Sequence, residues 1–220
     1  MSEKPRDLDR QLVLLICAAA VDLVVDVGAN TGQYGRRLRR GGYTGRILSF
    51  EPQPAVCAAL AEAVAADLAW TVAEPLALGR HPGRARFQVS AESDMSSLYP
   101  QTSTLVTLSP SSHIVEHIDV DVATLEERLS AVAGDRLFVK VDVQGGDEAV
   151  LDGLAGAWSR VVGVQLELAL TKLYDGDVHY LAMCHRLEQL GYRLALVLPG
   201  YFDGKVKRQL QFDGVFVRED

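Results

Sequence analysis

Apolar and polar positions follow two rhythms along the chain, and each rhythm predicts a different element. Continuous apolar runs are typical of strands buried on both faces of a parallel sheet. They occur at Leu23–Val27, Arg46–Phe50, Trp70–Ala73, Leu137–Val143 and Val161–Leu168. Helical spacing predicts helices between and after them, at Thr31–Arg40, Pro54–Ala66, Leu125–Val132, Glu148–Leu154 and His179–Leu190. This alternation predicts an α/β fold of parallel βαβ units.

The remaining segments complete the predicted fold. Leu12–Val21 is an apolar run too short to cross a bilayer, so we expect a core-facing helix there. Arg84–Val89 and Val115–Val122 predict additional strands around a Ser-rich loop. Tyr192–Leu198 and Gln209–Val217 predict a closing antiparallel hairpin. The sequence therefore predicts a mostly parallel seven-stranded sheet with one antiparallel strand and helices on both faces.

Composition narrows the partners that the protein can have. The 220 residues are 48% hydrophobic, enough for one well-buried domain. A net charge of −7 argues against nucleic acid or an anionic membrane as the partner, because both need a basic surface. The three isolated cysteines lack metal-site spacing and are interpreted as reduced thiols of a cytoplasmic protein. The oligomeric state stays open, with a homodimer as one alternative.

A glycine-containing turn follows the first predicted strand, in the segment Asp26–Gly32. Gly28 permits a tight turn and close approach of a ligand. Gly32 lets the following helix pack closely, and backbone N–H groups at that helix start, around Thr31, suit a ligand carboxylate. Asp26 or Asn30 is expected to take the ammonium group of the same ligand.

An acid follows the second strand, at the position where adenosine-type ligands are usually held. Glu51 comes roughly twenty residues after the glycine turn, and its two oxygens suit ribose hydroxyls. A dinucleotide site would carry another glycine where this chain has Asn30, so a ligand without phosphates fits better. An NAD(P)-dependent oxidoreductase and a solvated surface role for Glu51 stay open as alternatives. Pro52 follows the acid, and Ala77 is expected beside the adenine.

The chain resembles the FkbM family of methyltransferases. The resemblance runs from about Val21 onward and rests on matching stretches at 25–34, 50–52, 76–79, 96–98, 122–126 and, most specifically, 140–147. It implies S-adenosylmethionine as the cofactor, a Rossmann-like class I methyltransferase fold, Tyr34 among the cofactor contacts, and transfer to oxygen of a sugar, natural product or other small molecule. Gln144 and Asp147 stand where the family usually has Glu.

On this basis we expect a single domain over residues 1–220. Residues 1–20 are predicted to form an N-terminal helix, and residues 22–170 the cofactor-binding core. Residues 171–220 are predicted to form the acceptor-side loop, helix and closing hairpin.

Deprotonation of an acceptor hydroxyl needs a base or a metal, and two carboxylates qualify. Asp142 and Glu167 end neighbouring predicted strands, which lie about 4.8 Å apart in a sheet. The pair is expected either to split its pKa values or to share a divalent cation such as Mg²⁺; Asp142 is also a cofactor contact. Lys140 faces the same side as Asp142 and is expected to keep it ionised. The alternative is a buried Lys–Asp–Glu network that only holds the sheet.

Weaker candidates complete the prediction. His179 either lines the acceptor pocket or is an exposed residue at a helix start. Ser93, Ser96 and Ser97 either bind a polyhydroxylated acceptor or are ordinary loop residues. The arginine run at 36–40 is interpreted as a solvated helix face. Nucleic-acid methyltransferases often carry an aromatic-ended proline motif after this strand to hold a flipped base, and the segment after Asp142 lacks it. A non-catalytic cofactor-binding protein stays an alternative.

Overall fold

The computed structural model describes residues 7–218, and a seven-stranded sheet forms its centre. Its strands are β1 (Leu23–Val27), β2 (Arg46–Phe50), β3 (Trp70–Val72), β7 (Leu137–Val141), β8 (Val161–Ala169), β9 (Tyr192–Pro199) and β12 (Gln211–Arg218). The strand order is β3-β2-β1-β7-β8-β12-β9, and β12 alone runs antiparallel to its neighbours. The predicted sheet and its closing hairpin are confirmed.

The chain winds outward from the middle of this sheet in both directions. β2 and β3 lie to one side of β1, and β7 and β8 lie to the other. A strand order that reverses in this way opens a crevice at the carboxyl ends of β1 and β7. The glycine turn leaves β1 at this crevice, and Asp142 follows β7 at the same edge.

Helices cover both faces, as predicted. On one face α1 (Asp7–Ala18), α2 (Gln33–Gly41) and α3 (Pro54–Val64) pack on the sheet. On the other face lie α5 (Leu125–Leu129), α6 (Asp147–Asp152) and α7 (Tyr180–Gln189). Burial of the apolar stripe of each helix is the main source of stability in such layers. The predicted N-terminal helix is present over the described part of residues 1–20; residues 1–6 lie outside the described range, as do residues 219–220 at the other end.

A second, smaller sheet joins three strands that lie beside the main one. It contains β4 (Ala77–Leu78), β5 (Gly83–Ser90) and β6 (Ile114–Ala123), in the order β4-β6-β5. β5 and β6 form the long antiparallel pair that the sequence predicts as additional strands, and β4 runs parallel to β6. Helix α4 (Ser103–Leu108) lies in the connection between β5 and β6, and the short strands β10 (Phe202–Asp203) and β11 (Arg208–Gln209) pair with each other before β12.

One strand is shorter than its apolar run suggests. β7 ends at Val141, whereas the run continues to Val143. The backbone leaves the strand there because Gln144 and Gly145 both adopt positive φ angles, 57° and 93°. This turn brings Asp142 and Gln144 to the edge of the sheet, beside the glycine turn.

No helix within residues 7–218 is both long enough and apolar enough to cross a membrane.

Candidate functional site

The glycine turn is shaped first by packing. At Gly28 φ is 75°, and a Cβ atom would lie 1.9 Å from the carbonyl oxygen of Asp142. At Gly32 φ is 85°, and a Cβ atom would lie 2.6 Å from Leu60 Cδ1. Gly28 therefore lets the ends of β1 and β7 meet, and Gly32 lets α2 seat against α3. At Gly28 the space that a Cβ atom would need is occupied by the backbone of Asp142, and not by a ligand.

Glu51 binds the turn directly. Its Oε2 accepts a hydrogen bond from the backbone N–H of Asn30 at 2.9 Å, and its Oε1 accepts the backbone and side-chain N–H groups of Gln53 at 3.0 and 3.3 Å. The carboxyl is only 3% exposed, and burial raises its pKa, while these hydrogen bonds oppose the rise. Since Oε2 accepts one bond, it keeps a lone pair for a ligand hydroxyl. A second hydroxyl would replace the Gln53 amide on Oε1.

Asn30 carries an unsatisfied donor at the same place. Its backbone has a φ of 45°, a conformation that the bond to Glu51 holds. Its Oδ1 accepts a hydrogen bond from Ser93 Oγ at 3.2 Å, whereas its buried Nδ2 has no partner among the described residues. A buried amide donor without an acceptor costs free energy, so this atom suits an anionic ligand group such as a carboxylate.

A buried ion pair supports the turn from below. Asp26 is completely buried, and its Oδ1 lies 3.3 Å from Lys140 Nζ. The same ammonium donates to the carbonyl oxygen of Gly28 at 3.1 Å and approaches that of Val27 at 3.4 Å. Burial opposes the charge of Lys140, but the nearby carboxylates of Asp26 and Asp142 outweigh it and raise the lysine pKa. Lys140 thus stays protonated and ties β7 to the glycine turn.

Three adjoining cavities open around Gly28, which lines all of them. The first, about 380 Å³, is largely apolar and lies between the main sheet and the β4-β6-β5 sheet; its walls include Pro52, Ala77, Ala85 and Phe87. The second, about 350 Å³, is polar. The third, about 40 Å³, lies against Glu51 and shares lining residues with both others. The three cavities adjoin at the carboxyl ends of the strands, and together they are termed the trench.

The polar cavity collects side chains from four elements. Its lining includes Gln33, Tyr34, Arg37 and Arg40 of α2, Lys140 and Asp142 at the end of β7, Gln165 of β8, and Asp213 of β12. Tyr34 Oη donates to Gln165 Oε1 at 3.0 Å, although the two residues are 131 positions apart in the chain. Burial and the nearby Asp142 carboxylate raise the pKa of Asp213 to about 6.

Asp213 and Gln165 did not enter the predicted site. Gln165 is one of two polar residues in β8, the other being Glu167, and Asp213 lies between apolar neighbours in β12. Lys140 pairs with Gln165, and Asp213 pairs with Glu167. Gln165 and Glu167 are two positions apart in β8, so their side chains and those of both partners lie on the same face of the sheet. Polar residues at alternate positions of buried strands were the available signal.

Asp142 and Glu167 do lie close together, but an amide stands between them. Gln144 Nε2 donates to Asp142 Oδ1 at 2.8 Å and to Glu167 Oε2 at 3.1 Å. Gln211 Nε2 adds a bond to Glu167 Oε2 at 2.8 Å. Burial, then repulsion from Asp142 and Asp213, raises the pKa of Glu167 well above its usual range. The Gln144 amide replaces the charge that Glu would bring at this position.

The profile of the FkbM methyltransferase domain matches residues 26–194, about three quarters of the chain. This chain belongs to the FkbM methyltransferase family. Among curated proteins no sequence matches it. The family assignment favours the predicted methyltransferase over the NAD(P)-dependent oxidoreductase that the turn alone left open.

Solved structures are similar to this FkbM domain in fold. An O-methyltransferase from Bacillus cereus, solved in complex with SAH, aligns with a TM-score of 0.50 at 12% identity, over 99% of this chain and 83% of that one. A precorrin-6y C5,15-methyltransferase from Geobacter metallireducens GS-15 gives 0.48 at 14% identity, over 95% and 87%. A ribosomal protein L11 methylase from Lactobacillus delbrueckii subsp. bulgaricus gives 0.47 at 11%, over 96% and 78%. The first of these shows the class I methyltransferase fold.

The other predicted residues of the FkbM domain lie outside the trench. Asp26 is buried behind Lys140, and Thr31 is exposed at the start of α2. His179 is exposed immediately before α7, where its ring lies tilted against that of Tyr180 with ring centroids 4.7 Å apart, and it lines none of the three cavities. The geometry therefore brings Gly28, Asn30, Tyr34, Glu51, Pro52, Ala77, Lys140 and Asp142 together along the trench and leaves the catalytic assignment of His179 without a contact there.

The predicted metal site gains no support from the donor atoms. Within residues 7–218, no group of three or more His, Cys, Asp or Glu side chains is arranged to hold a metal ion. The space between Asp142 and Glu167 contains the Gln144 amide, whose N–H groups face both carboxylates. An amide nitrogen is a hydrogen-bond donor and does not coordinate Mg²⁺, so the donor set does not fit this ion.

The serines of the loop after β5 serve the loop itself. Ser97 is buried, and its Oγ donates to the carbonyl oxygen of Gln144 at 2.6 Å. Ser96 Oγ accepts the backbone N–H of Ser90 at 3.0 Å. Ser93, by contrast, contacts Asn30 and lines the small cavity. These contacts fix the loop against the turn after β7, where it forms one wall of the trench.

Proposed function

We propose that this protein is an S-adenosylmethionine-dependent O-methyltransferase that acts on a hydroxyl of a small molecule, sugar or natural product. The observation that carries the proposal is the trench itself. It joins an apolar cavity, a carboxylate with a free lone pair and a polar cavity rich in ionisable groups, and all three meet at Gly28.

The residues of the trench fit the parts of the cofactor in order. The apolar cavity beside Pro52 and Ala77 suits the adenine, and Glu51 suits the ribose hydroxyls. The unsatisfied Asn30 amide suits the carboxylate of the amino-acid part. When bound, the cofactor supplies a methyl group on a sulfonium sulfur, and the protein has mainly to align the acceptor with it.

The acceptor side must hold the proton that the hydroxyl loses. Asp142, with Lys140 Nζ 3.6 Å from its Oδ2, lies at the border of the small and the polar cavities. Asp213 lines the polar cavity, and a pKa of about 6 leaves it ionised at neutral pH and able to accept a proton. Glu167 lines none of the three cavities, and we expect it to act through the Gln144 amide, which joins it to Asp142. We assign proton transfer to these acids and positioning to Lys140.

Calorimetric titration with S-adenosylhomocysteine tests the cofactor assignment. Ala85 lines the apolar cavity from β5, so Ala85→Trp fills the adenine site without touching the glycine turn. We expect Ala85→Trp to weaken binding at least tenfold and the matched small variant Ala85→Ser to bind like wild type. NAD⁺ is expected not to bind. Equal affinity of the Trp and Ser variants, with both folded by circular dichroism, would move the cofactor elsewhere.

Transfer of a labelled methyl group to a panel of hydroxylated compounds tests the activity. An O-methyl product identified by mass spectrometry supports the proposal. Tight binding of S-adenosylhomocysteine with methylation only at nitrogen or carbon would refute the oxygen assignment. Binding without any transfer across sugars and phenols would favour the non-catalytic alternative.

A further inference from the structure

The four arginines of α2 have different surroundings. Arg39 forms an ion pair with Asp67, with Nε 2.7 Å from Oδ2, and Arg36 bonds to a backbone carbonyl outside the trench. Arg37 and Arg40 instead line the polar cavity. The prediction of a solvated helix face therefore describes only part of this run, because two of the four cations face a candidate ligand site.

Arg37 is held in place by a buried acid. Its Nε bonds to Oδ1 of Asp9 on α1, and Asp9 is only 3% exposed. This bond uses one edge of the guanidinium, and the Nη atoms make no bond within residues 7–218. A buried carboxylate that fixes an arginine at a cavity wall pre-organises its remaining donors for a ligand.

Arg40 lies one turn farther along the same face of α2. Residues three apart on a helix are neighbours, so both guanidinium groups can reach one anion. Arg40 is exposed and has no hydrogen-bond or ion-pair partner in the described part of the chain. Since α2 begins at Gln33 and a helix rises about 1.5 Å per residue, Arg40 lies about 10 Å along the axis from the helix start. The pair is therefore displaced from the turn that suits the cofactor.

Charge is distributed unevenly across the polar cavity. The carboxylates of Asp94, Asp142 and Asp213 line the cavity, and Asp142 and Asp213 belong to the acceptor-side acids assigned above. Arg37 and Arg40 supply the opposite charge on the α2 wall. We propose that Arg37 and Arg40 bind an anionic group of the acceptor, so that the acceptor is a hydroxyl compound that also carries a carboxylate or a phosphate. This inference rests on the proposed function, because it assigns the polar cavity to the acceptor.

Matched anionic and neutral compounds test the proposal on protein saturated with S-adenosylhomocysteine. The probes are D-glucuronate against D-glucose, and glycerol 3-phosphate against glycerol, with binding followed by calorimetry at low salt. We expect one or both anions to bind and their neutral counterparts not to bind. Arg40→Gln should weaken anion binding about five- to tenfold, and Arg36→Gln, which removes the same charge outside the trench, should leave it unchanged. The preferred probe shows whether the group is a carboxylate or a phosphate.

Three results would overturn the inference. The first is binding of S-adenosylhomocysteine without binding of either anion. The second is equal loss in the Arg36→Gln and Arg40→Gln variants, which would indicate general attraction of charge. The third is that Arg40→Gln weakens S-adenosylhomocysteine instead of the anions, which would assign the arginines to the cofactor carboxylate. Failure of S-adenosylhomocysteine to bind wild-type protein at all would instead refute the proposed function on which this inference rests.

Discussion

Removal of the Lys140 ammonium should destabilise the whole domain, because it leaves a buried charge without its partner. In Lys140→Met the side-chain length is kept, but Asp26 stays completely buried and loses the ammonium 3.3 Å from its Oδ1. The carbonyl oxygen of Gly28 also loses a donor at 3.1 Å. Breaking a buried pair by removing one partner typically costs about 3–5 kcal/mol. That is a large fraction of a total of about 5–15 kcal/mol for a typical domain.

Urea denaturation followed by Trp fluorescence measures this cost, and a double-mutant cycle isolates the pair. Asp26→Asn removes the buried charge, so Asp26→Asn/Lys140→Met should be more stable than Lys140→Met alone. The coupling free energy should be about 2 kcal/mol or more. Burial already raises the pKa of Asp26, and loss of Lys140 raises it further, so Lys140→Met should gain stability relative to wild type as the pH falls. A coupling energy near zero, or a cost below about 1 kcal/mol, would refute the reasoning.

Three further predictions follow from the site. Gly28→Ala should unfold or severely destabilise the protein in thermal denaturation, because the new Cβ would lie 1.9 Å from the Asp142 carbonyl oxygen; a native melting temperature would contradict this. The pKa of Asp213 is raised from 3.8 to about 6, so its carboxyl ionises less readily in the folded protein than in the unfolded chain. Stability is therefore unaffected by this group below about pH 4 and falls as the pH rises through 6. Asp213→Asn should therefore be about 1–2 kcal/mol more stable than wild type at pH 8, after allowance for screening by water, and nearly equal at pH 3.5 in urea titrations; a pH-independent difference would contradict it. Gln144→Glu removes the donor shared by Asp142 and Glu167 and adds a negative charge, so stability should fall at pH 8 and recover toward pH 5; unchanged pH dependence would refute the bridging role.

The parallel sheet could be predicted because its signals are local. Each buried strand is a short apolar run, and the glycine turn follows the first of them directly. Glu51 was selected from its distance along the chain to that turn, and in the structure it accepts a hydrogen bond from the backbone N–H of Asn30. The roles of individual residues within the turn were harder to predict from the sequence. Gly28 clears the backbone of Asp142, which is 114 positions later in the chain, and no local pattern reveals such an approach.

The walls of the trench could not be predicted for the same physical reason. The apolar cavity exists because β4 pairs with β6 and β5 pairs back on β6, and strand pairing between separate segments depends on tertiary packing. The polar cavity depends on the register in which β7, β8 and β12 pair. Lys140 pairs with Gln165, and Asp213 pairs with Glu167, so a shift of one residue in β7 or β12 would turn its polar side chain to the opposite face. The sequence contains the polar residues but does not state their register.

The same buried charges link stability to the proposed chemistry. Lys140 holds the carbonyl oxygens of the glycine turn and the Asp26 carboxylate on one side, and its ammonium lies 3.6 Å from Asp142 Oδ2 on the other. Structural and chemical roles for this network, posed as alternatives from the sequence, therefore do not exclude each other. A lysine paired with a fully buried aspartate keeps a fixed position and a permanent charge. A fixed positive charge beside Asp142 pre-organises that carboxylate for the acceptor. A loss of Lys140 should consequently weaken the fold and misplace Asp142 together, whereas a loss of Asp213 should affect the acceptor side and leave the glycine turn intact.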